Sequence, residues 1–488
     1  MSTTLIIVDK PERWPLDIPG VEVVAARDYL TLAELGARRN TRIFNLCRSY
    51  RYQSAGYYVS LLGEARGHRP MPSVATLRDL RSPAIIRIAS DDLARLVKRS
   101  LSPLKSDDFT LSIYFGRNMA ARYRTLCTRL FNHFQTPLLR VEFHRQQDEW
   151  QIRSVRAIAA REIPPQHHDF VVKAAGQYFS GRRRTRRNQA SRYDLAILHE
   201  PGESDAPSNA RALERFTRAG ARLGIATQLV TRDDYARLGE FDALFIRVTT
   251  RVDHYSYRFA RRADAEGLVV IDAPSDIIRC SNKVYLAERL TRHRVATPRT
   301  LVVHSGNRDR VAAELGLPCV LKQPDSAFSL GVHKADSEGE LEEKLDYLLG
   351  LSDLIVAQSF LPTDFDWRIG ILNGEPLFAC RYYMASRHWQ IVRREGGRVF
   401  EGNADTLAVD DAPPAVIRTA LRATRLIGRG LYGVDIKQSR NRCYVIEVND
   451  NPNIDAGVED IVMKDGLYER VMRYFLESIE RRKGSRTP

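Results

Sequence analysis

The sequence predicts an α/β protein built from several compact units. Short runs of branched apolar residues, such as 5–8 and 225–230, recur along the chain, and the segments between them have apolar residues at helical spacing. Two further apolar runs, at 431–436 and 444–448, flank a polar turn and predict an antiparallel strand pair. With 488 residues, 43% of them hydrophobic, the chain is long enough to form about three cores.

The first 175 residues alternate predicted strands with predicted helices, so we interpret 1–175 as an α/β accessory domain. Helices are predicted at 91–101 and 119–134, where apolar side chains recur every three or four residues. The predicted strands of this part are residues 5–8, 21–24, 41–46 and 109–115.

Positive charge is concentrated in the N-terminal part. Residues 1–190 contain 32 Lys and Arg against 17 Asp and Glu, which accounts for the whole net charge of +15. An excess of this kind favours an anionic partner, such as an acidic peptide, a nucleotide or a nucleic acid. The alternative is a solvated, arginine-rich surface with no specific partner.

A basic run at 181–189 is the best linker candidate, and we place the linker at 176–191. Beyond it, residues 192–280 return to strand and helix alternation, which right-handed crossovers would arrange as a parallel sheet. Residues 481–488 are predicted to form a disordered tail. The strands predicted for the second region are 194–199, 225–230, 242–247 and 268–272.

The composition argues against several classes of protein. Six cysteines are scattered without paired spacing, so neither a disulfide framework nor a zinc site is indicated. No stretch approaches the ~18 continuous apolar residues of a membrane span, and the first residues lack a signal-peptide pattern. The expectation is a cytoplasmic protein with no membrane contact.

The predicted strand pair near the C-terminal end presents oxygen donors on one face. Side chains alternate along a strand, so Asp435 and Lys437 share a face of the first strand, and Glu447 and Asn449 share a face of the second. A turn about Asn441 sets Asp435 opposite Glu447, with Asn449 one same-face step along. Three hard oxygen donors therefore converge.

Two carboxylates buried on an apolar hairpin require a compensating cation. Magnesium suits this donor set, because it takes a few carboxylates and completes its shell with water and phosphate oxygens. The alternative is that neighbouring arginines form salt bridges with the acidic pair. Lys437 lies on the same face as Asp435. It would either adjust the charge of the site, recognise a substrate carboxylate or extend into solvent.

Further motifs precede this hairpin in a fixed order. Lys283 opens an amphipathic helix, Lys322 lies on an apolar strand, and a small-residue loop follows at 325–332. An apolar strand at 354–361 and an Asp-x-Arg triplet beginning at Asp366 come next. Together with the aspartate strand and the Glu-x-Asn sequence, these motifs resemble the ATP-grasp superfamily, specifically the RimK-like carboxylate-amine ligases.

The resemblance covers roughly residues 280–465 and implies an architecture of two nucleotide-binding lobes with α+β character. It implies an ATP-grasp N-lobe at 281–357 and a C-lobe at 358–480, preceded by a pre-ATP-grasp α/β domain at 192–280. Residues 1–175 are similar to the N-terminal extension fused to some RimK-like ligases.

The resemblance also implies roles for single residues. Asp435, Glu447 and Asn449 would bind Mg²⁺ or Mn²⁺, with two ions expected. Arg381 is our candidate for stabilising the transferring phosphoryl group, and Lys322 would assist it while binding the phosphates. The residues expected to bind ATP are Lys283, Lys322, Ser326, Ser329, Gln358, Ser359, Phe360, Leu361 and Asp366.

By this resemblance the protein is an ATP-dependent ligase that forms an amide through an acyl phosphate. It would join an amino acid, with glutamate as the candidate, to an amino acid, a peptide or a protein terminus. One alternative is a phosphotransferase on the same scaffold, because the metal site serves any in-line phosphoryl transfer. Another is a non-enzymatic, nucleotide-dependent binding protein for an anionic partner.

The resemblance leaves the substrates open. Many RimK-like ligases carry an Arg-Ser-Asn stretch, whereas this chain has Trp389-Gln390-Ile391 and Glu401-Gly402-Asn403. The partners expected are small amino-acid or peptide substrates, an acidic peptide or protein at the basic N-terminal region, and a second copy of the chain. A nucleic acid is not expected.

Overall fold

The computed structural model describes residues 3–18, 21–38, 41–147, 149–180, 191–325, 331–385, 388–395 and 398–484. The chain divides into two compact units, Met1–Arg187 and Asn188–Pro488. Most of the predicted linker, 181–190, lies outside the described residues, while 176–180 belong to a helix of the first unit. The finer division of the second unit into a pre-grasp domain and two lobes stays a prediction.

The first unit combines a parallel and an antiparallel sheet. The parallel sheet has the order β2-β1-β3-β4 and the antiparallel sheet the order β5-β6-β7. The strands are β1 (Thr3–Val8), β2 (Glu22–Ala25), β3 (Thr41–Asn45), β4 (Arg69–Met71), β5 (Asp108–Tyr114), β6 (Leu138–Gln146) and β7 (Glu149–Ala157), and the helices are α1 (Ala26–Thr31), α2 (Ala33–Gly36), α3 (Ala55–Ala65), α4 (Val74–Asp79), α5 (Pro83–Leu101), α6 (Arg124–His133) and α7 (His168–Ser180).

Strand β1 forms the centre of two cores because its side chains alternate between two covered faces. Leu5 and Ile7 pack in one cluster with Tyr29 of α1, whereas Ile6 and Val8 pack in another with residues of β5 and α7. All four side chains are buried. The predicted α/β character of this part is therefore confirmed.

Two helices of this unit differ from their predicted bounds. The predicted helix at 91–101 is the C-terminal half of α5, which begins at Pro83. Proline fits the first turn, where its missing N–H has no helical acceptor, and the hydroxyl of Ser82 caps the helix by accepting from the N–H of Ile85. The helix predicted at 119–134 begins only at Arg124, after a 3₁₀ turn.

The second unit opens with a parallel sheet, as predicted. Its strand order is β11-β10-β8-β9, and every neighbouring pair is parallel. Helices α8 and α9 contribute to clusters on opposite faces of this sheet. Its elements are β8 (Tyr193–Leu198), α8 (Ala210–Arg222), β9 (Ile225–Val230), β10 (Ala243–Ile246), α9 (Tyr255–Ala265), β11 (Val269–Ile271) and α10 (Pro274–Ser281).

A four-stranded antiparallel sheet follows, with the order β12-β15-β13-β14. Helices α12 and α13 bury their apolar sides against it, and α11 precedes it in the chain. Its elements are α11 (Lys283–Arg292), β12 (Thr300–Val303), α12 (Arg310–Leu315), β13 (Cys319–Lys322), β14 (Val332–Ala335), α13 (Glu338–Leu349) and β15 (Ile355–Ser359).

The last part of the unit is a five-stranded antiparallel sheet with the order β20-β17-β16-β21-β22. A separate hairpin joins β18 to β19. The elements are β16 (Phe365–Leu372), β17 (Glu375–Tyr383), β18 (Val392–Glu395), β19 (Arg398–Glu401), β20 (Ala404–Leu407), α14 (Pro414–Thr424), β21 (Leu431–Ser439), β22 (Arg442–Asn449) and α15 (Asp465–Gly484).

Helix α15 corrects one prediction. Residues 481–484, which we expected to be disordered, continue this helix, and only 485–488 lie outside the described residues. The helix is held by an apolar side that packs on the parallel sheet, including Phe475 and Ile479. In the parts of the chain that the structure describes, no helix is long and apolar enough to cross a membrane.

The two faces of the five-stranded sheet differ in chemistry. One face, with Trp367, Ile369 and Val434, is apolar and packs on α14 and α11. The other face is apolar at one end, where Phe378 and Leu431 join the core under the parallel sheet. At its opposite end this second face carries the charged side chains described in the next subsection.

Two glycines allow close packing on this second face. Gly370 lies opposite Phe378 in β17, and a Cβ atom at Gly370 would overlap the Phe378 ring. Gly433 is the register partner of Gly370 on β21, and a Cβ there would lie 2.7 Å from Cβ of Pro452. Glycine is therefore required at these two positions, where the Phe378 ring and the Pro452 side chain pack directly on the backbone of the sheet.

We expect Gly370→Ala to lower the free energy of unfolding by about 1 to 3 kcal/mol, because the new methyl group overpacks the core. Gly339→Ala is the control: a methyl group on this helical glycine would have no heavy atom of the described chain within 4 Å, so the change should be neutral or stabilising by up to about 1 kcal/mol. Urea unfolding of both variants measures the difference. Equal stability of the two variants would contradict this packing.

Candidate nucleotide and metal site

Three neighbouring strands bring the predicted acidic residues to one sheet face. Arg368 of β16 is the register partner of Asp435 of β21, and Asp435 is in turn the partner of Glu447 of β22. Asn449 pairs with Gly433, one same-face step from Asp435. The predicted facing of Asp435 and Glu447 is therefore what the hairpin shows.

Asp435 is compensated by an arginine within the chain. The Nε and second terminal nitrogen of Arg368 donate to the two carboxylate oxygens of Asp435 at 2.7 and 2.8 Å. The amide nitrogen of Asn449 lies 3.3 Å from Oδ2 of Asp435. Arg368 itself lies over the ring of Tyr382, with its Cζ 5.0 Å from the ring centre. The arginine salt bridge that the sequence left as an alternative is thus present.

Glu447 is compensated by the first of the two predicted phosphate lysines. Nζ of Lys283 lies 3.0 Å from Oε1 of Glu447. Lys283 begins α11, whose N-terminus is capped by the side chain of Asn282, and its N–H donates to the carbonyl of Pro324. Since Lys322 lies two residues before Pro324 on the adjoining strand, this bond fixes the two lysine segments together.

Asp366 is compensated by Lys437. Nζ of Lys437 lies 2.6 Å from Oδ1 of Asp366 and also donates to the hydroxyl of Thr363 at 2.7 Å. Lys437 thus neither extends into solvent nor lies free for a substrate carboxylate. Its ammonium fixes the start of β16 and holds the Asp366 carboxylate by a contact separate from those of Asp435 and Glu447.

Burial and neighbouring charge shift the proton affinity of these groups in opposite directions. Burial alone would raise the pKa of Glu447, but Lys283 and Lys322 outweigh it and hold that pKa below its usual value. Burial lowers the pKa of Lys322 to about 8, although Glu447 favours the charged form. Burial also raises the pKa of Asp366, and Lys437 only partly offsets this.

The donor set fits a hard divalent cation. Two carboxylates from facing strand positions and one side-chain amide are the oxygen ligands that Mg²⁺ and Mn²⁺ prefer. Both oxygens of Asp435 accept from Arg368, so a cation there would share or replace that contact. Among the residues that the structure describes, no cluster of three His, Cys, Asp or Glu side chains offers a competing metal site.

A small cavity adjoins the two lysines. It measures about 20 Å³, whereas cavities for ligands of nucleotide size span about 300 to 1,000 Å³. Nucleotide entry therefore requires the walls to separate. The walls come from α11, β13, β15 and β22 and comprise Lys283, Leu286, Ala287, Leu290, Thr297, Lys322, Val356, Gln358, Val445 and Ile446.

The predicted hinge at 358–361 lies beside this cavity through Gln358. The Gln358 side chain donates to the hydroxyl of Thr300 at 3.0 Å. The N–H groups of Ser359 and Phe360 donate to the carbonyls of Arg299 and Pro318, so a base bound through them would compete with these bonds. Ser326 and Ser329, in the predicted phosphate loop, lie outside the described residues.

Arg381, our sequence candidate for stabilising the transferring phosphoryl group, contacts the rings of Phe365 and Trp367. It pairs across the sheet with Trp367, and its Cζ lies 5.0 Å from the centre of the Trp367 ring. Trp367 belongs to the apolar core on the α14 face, whereas the next residue, Arg368, binds Asp435 on the other face. Strand alternation therefore places Arg381 opposite the carboxylates. Arg368 is the arginine that contacts them.

Comparison with known proteins supports the nucleotide site. Residues 280–454 match the model of the ATP-grasp domain, and residues 26–174 match the RimK-like ATPgrasp N-terminal domain. The chain thus contains an ATP-grasp domain and a RimK-like N-terminal domain. The predicted RimK-like resemblance and the predicted fold class are both confirmed.

Relatives of this ATP-grasp protein carry ligase names. A probable alpha-L-glutamate ligase of Vibrio vulnificus strain YJ016 is 26% identical over 254 residues, 51% of this chain and 81% of the relative. One from Syntrophotalea carbinolica is 24% identical over 238 residues, covering 48% and 76%. A solved D-alanine–D-alanine ligase from Bacillus anthracis aligns with a TM-score of 0.46, 14% identity, and 60% and 99% coverage. The ligase names of the two sequence relatives, together with the match to the ATP-grasp domain, confirm the prediction of an ATP-dependent ligase that forms an amide bond.

The structure of the ATP-grasp chain also shows residues that the sequence analysis had not selected. Arg247 is fully buried at the end of β10 and donates to Asn451 at 2.7 Å and to the carbonyl of Pro452 at 2.8 Å. It thereby joins the parallel sheet to the segment that follows Asn449. Its position directly after a buried strand could have identified it from the sequence. The carboxyl ends of parallel strands meet at one edge of the sheet, and ligands bind at that edge.

Asp272 lies at the same sheet edge, directly after β11. It is 1% exposed, and within the described part of the chain neither of its carboxylate oxygens has a hydrogen-bond partner. Burial, together with the neighbouring charge of Asp450, raises its pKa well above the usual value, which favours the neutral acid. No spacing pattern in the sequence distinguishes this aspartate.

The lowered pKa of Lys322 predicts a pH-dependent affinity for ATP. Below pH 8 the ammonium is charged and attracts phosphate, and above it the charge is lost, so affinity should fall by about tenfold between pH 7 and pH 9. Calorimetric titration with ATP measures this. Lys322→Arg should keep its charge and give a flatter profile, whereas equal slopes for the two proteins would remove Lys322 from the phosphate site.

Arg368 of β16 and Arg381 of β17 lie on opposite faces of the sheet, so matched variants test which face carries the activity. Arg368→Gln should lower kcat by about 100-fold, because the charge beside Asp435 and Glu447 is lost. Arg381→Gln should lower kcat less than about fivefold, since its contacts to Phe365 and Trp367 contribute mainly to stability. Steady-state ATP turnover of both variants decides. The reverse order would restore Arg381 as the functional residue.

Proposed function

We propose that this chain is an ATP-dependent carboxylate-amine ligase that adds an amino acid, with glutamate as the candidate, to an amino acid, a peptide or a protein terminus. The observation that carries the proposal is the charged face of the five-stranded sheet. There Asp435, Glu447 and Asn449 face one another beside Lys283 within an ATP-grasp domain. Glutamate is favoured by the names of the relatives.

The lysines bind the nucleotide in this proposal. Lys283 and Lys322 are both 8% exposed, so few water molecules compete with phosphate oxygens for their ammonium groups. Before ATP binds, Glu447 compensates Lys283 at 3.0 Å. A triphosphate bound with its divalent cation would supply partners for both signs of charge: phosphate oxygens for the lysines and the cation for Glu447.

Asp435, Glu447 and Asn449 would hold Mg²⁺ or Mn²⁺, with two ions proposed, and the metal would neutralise charge on the phosphates during transfer. Arg368 binds Asp435 and lies over the ring of Tyr382, with its Cζ 5.0 Å from the ring centre. It would supply positive charge beside the transferring phosphoryl group.

The reaction itself needs no covalent intermediate with the protein. A substrate carboxylate oxygen forms a bond to the γ-phosphorus, and the bond to ADP breaks. The amine nitrogen then attacks the acyl carbon, the carbon–oxygen bond to phosphate breaks, and the amine loses a proton. Holding the two substrates in line lowers the activation free energy by about 7 to 11 kcal/mol in reactions of this kind.

Product analysis tests the reaction class. Purified protein is incubated with ATP, magnesium, pooled amino acids and short peptides, and the products are weighed by mass spectrometry. A ligase releases ADP and phosphate only when a carboxylate and an amine are both present. A stable phosphoester formed with one acceptor would identify a phosphotransferase. Binding without turnover, with steep salt dependence, would identify a binding protein. The cytoplasmic location and a homo-oligomer stay predictions.

Glu447→Gln should lower turnover by about 100-fold or more while the protein stays folded, because a neutral amide neither binds a divalent cation as tightly nor compensates Lys283. Glu375→Gln is the control: this carboxylate of the same sheet is 73% exposed and pairs with Arg470 at the surface. Phosphate release and circular dichroism are measured for both. Wild-type turnover of the Glu447 variant would count heavily against the proposal.

A further inference from the structure

The N-terminal unit contains a cavity that the proposed chemistry does not use. It measures about 540 Å³ and lies between α5 and β7, and we name it the α5–β7 cavity. Its volume falls within the range of about 300 to 1,000 Å³ that is typical of ligand sites. Three of its lining residues are arginines, Arg81, Arg87 and Arg153, and one described lining residue, Asp91, is acidic.

The arginines of this cavity keep most of their hydrogen-bonding capacity for a ligand. Arg81 donates to the carbonyl of Tyr50 at 3.0 Å, which fixes its position. Arg153 is 68% exposed and has a long contact of 3.8 Å to Asp108. For Arg87 the described residues offer no ion-pair partner. An arginine presents five N–H donors in a planar fork that matches a carboxylate.

The local backbone directs Arg153 into this position. In the pairing of β6 with β7, Glu142 is opposite Ser154 and Phe143 is opposite Ile152, so Arg153 is an extra residue in the strand. Such a bulge changes the direction in which side chains point. Three consecutive residues at this bulge, Gln151, Ile152 and Arg153, line the cavity. The hydroxyl of Ser90 on α5 accepts from the N–H of Ile152 at 3.1 Å and fixes the bulge to the helix.

We propose that the α5–β7 cavity binds an acidic peptide, which serves as the acceptor or the donor substrate of the ligase. This inference rests on the proposed function. The arginines would bind glutamate or aspartate carboxylates, and Ile86 and Ile152 would contact the aliphatic part of the peptide. Asp91 would accept hydrogen bonds from peptide N–H groups. The charge of the whole region agrees, since residues 1–190 carry the net excess of +15.

An acidic peptide fits the cavity better than a nucleic acid does. Sites for single strands combine positive charge with aromatic side chains on which bases stack. None of the lining residues that the structure describes is aromatic, and the carboxylate of Asp91 can accept from the N–H groups of a peptide backbone, whereas a phosphodiester backbone offers it no donor. Peptide side chains instead match the mixture of arginine, isoleucine and one acid.

Binding of a dye-labelled hexaglutamate peptide to the full-length protein tests the site directly. The double variant Arg87→Gln and Arg153→Gln should bind the peptide at least tenfold more weakly, as measured by fluorescence anisotropy. The matched control is Arg95→Gln with Arg99→Gln, which removes the same charge from exposed positions of α5 outside the cavity. The control should bind within twofold of the wild type. If both double variants lost peptide affinity equally, the binding would depend only on the total positive charge of this region, and the proposal would be overturned.

Competition identifies the class of ligand. A hexalysine peptide should not displace the label, and a single-stranded oligonucleotide should displace it only at a much higher concentration than unlabelled hexaglutamate. If the oligonucleotide binds more tightly than the peptide, and the cavity variant loses that binding, the acidic-peptide proposal is wrong.

Turnover separates this inference from the proposed function. With an acidic peptide as substrate, the Arg87 and Arg153 variant should raise KM for the peptide at least tenfold while kcat and KM for ATP stay unchanged. An unchanged peptide KM would overturn the cavity proposal and leave the ligase proposal standing. In the converse case, peptide binding that depends on the cavity without ligase turnover would refute the proposed function and the substrate role of the peptide, and would leave only the binding of acidic peptides by the cavity standing. Lys322→Ala should keep peptide binding while losing ATP binding.

Discussion

The burial of carboxylates on one face of an antiparallel sheet is the constraint on which the site depends. Asp366, Asp435 and Glu447 are each removed from most solvent, and each is matched by a cation of the chain at hydrogen-bonding distance: Lys437, Arg368 and Lys283. An unmatched charge at these positions would be strongly destabilising. Two of these cations, Lys283 and Arg368, are of a kind that also binds phosphate. In the proposed function, the phosphate oxygens and the divalent cation would take over their pairing when ATP binds.

The rest of the second unit maintains this arrangement. The sheet face is apolar at one end, where Phe378 and Leu431 pack under the parallel sheet, and charged at the other. Gly370 and Gly433 allow the close crossing between these ends. Arg247 then ties the segment after Asn449 to the parallel sheet by donating to Asn451 and the carbonyl of Pro452. It also donates to Ser208 and the carbonyl of Pro207, in the segment between β8 and α8. Packing at one end thus fixes the geometry of the charges at the other.

The N-terminal unit has a different balance of charge. In the second unit the three carboxylates of the candidate site are paired with cations of the chain, whereas the first unit carries three arginines around a cavity with a single described acid, Asp91. A ligase that extends acidic chains has to hold a substrate that most protein surfaces repel or ignore. A positively charged cavity raises the local concentration of such a substrate. This gives a physical reason why a RimK-like N-terminal domain and an ATP-grasp domain would occur in one chain.

The sequence by itself determined the strand and helix alternation, the parallel sheet at 192–280 and the pairing of Asp435 with Glu447. The alternation and the sheet follow from the local periodicity of apolar residues. The pairing of Asp435 with Glu447 follows from the short turn between the two strands, because a short turn allows few alternative registers. Only the tertiary structure decided that Arg368 rather than Arg381 faces the carboxylates, because that depends on how β16 and β17 align with β21. It also decided the positions of Arg247 and Asp272, which approach the site from a separate sheet. Contacts between distant segments depend on packing, and no spacing along the chain encodes them.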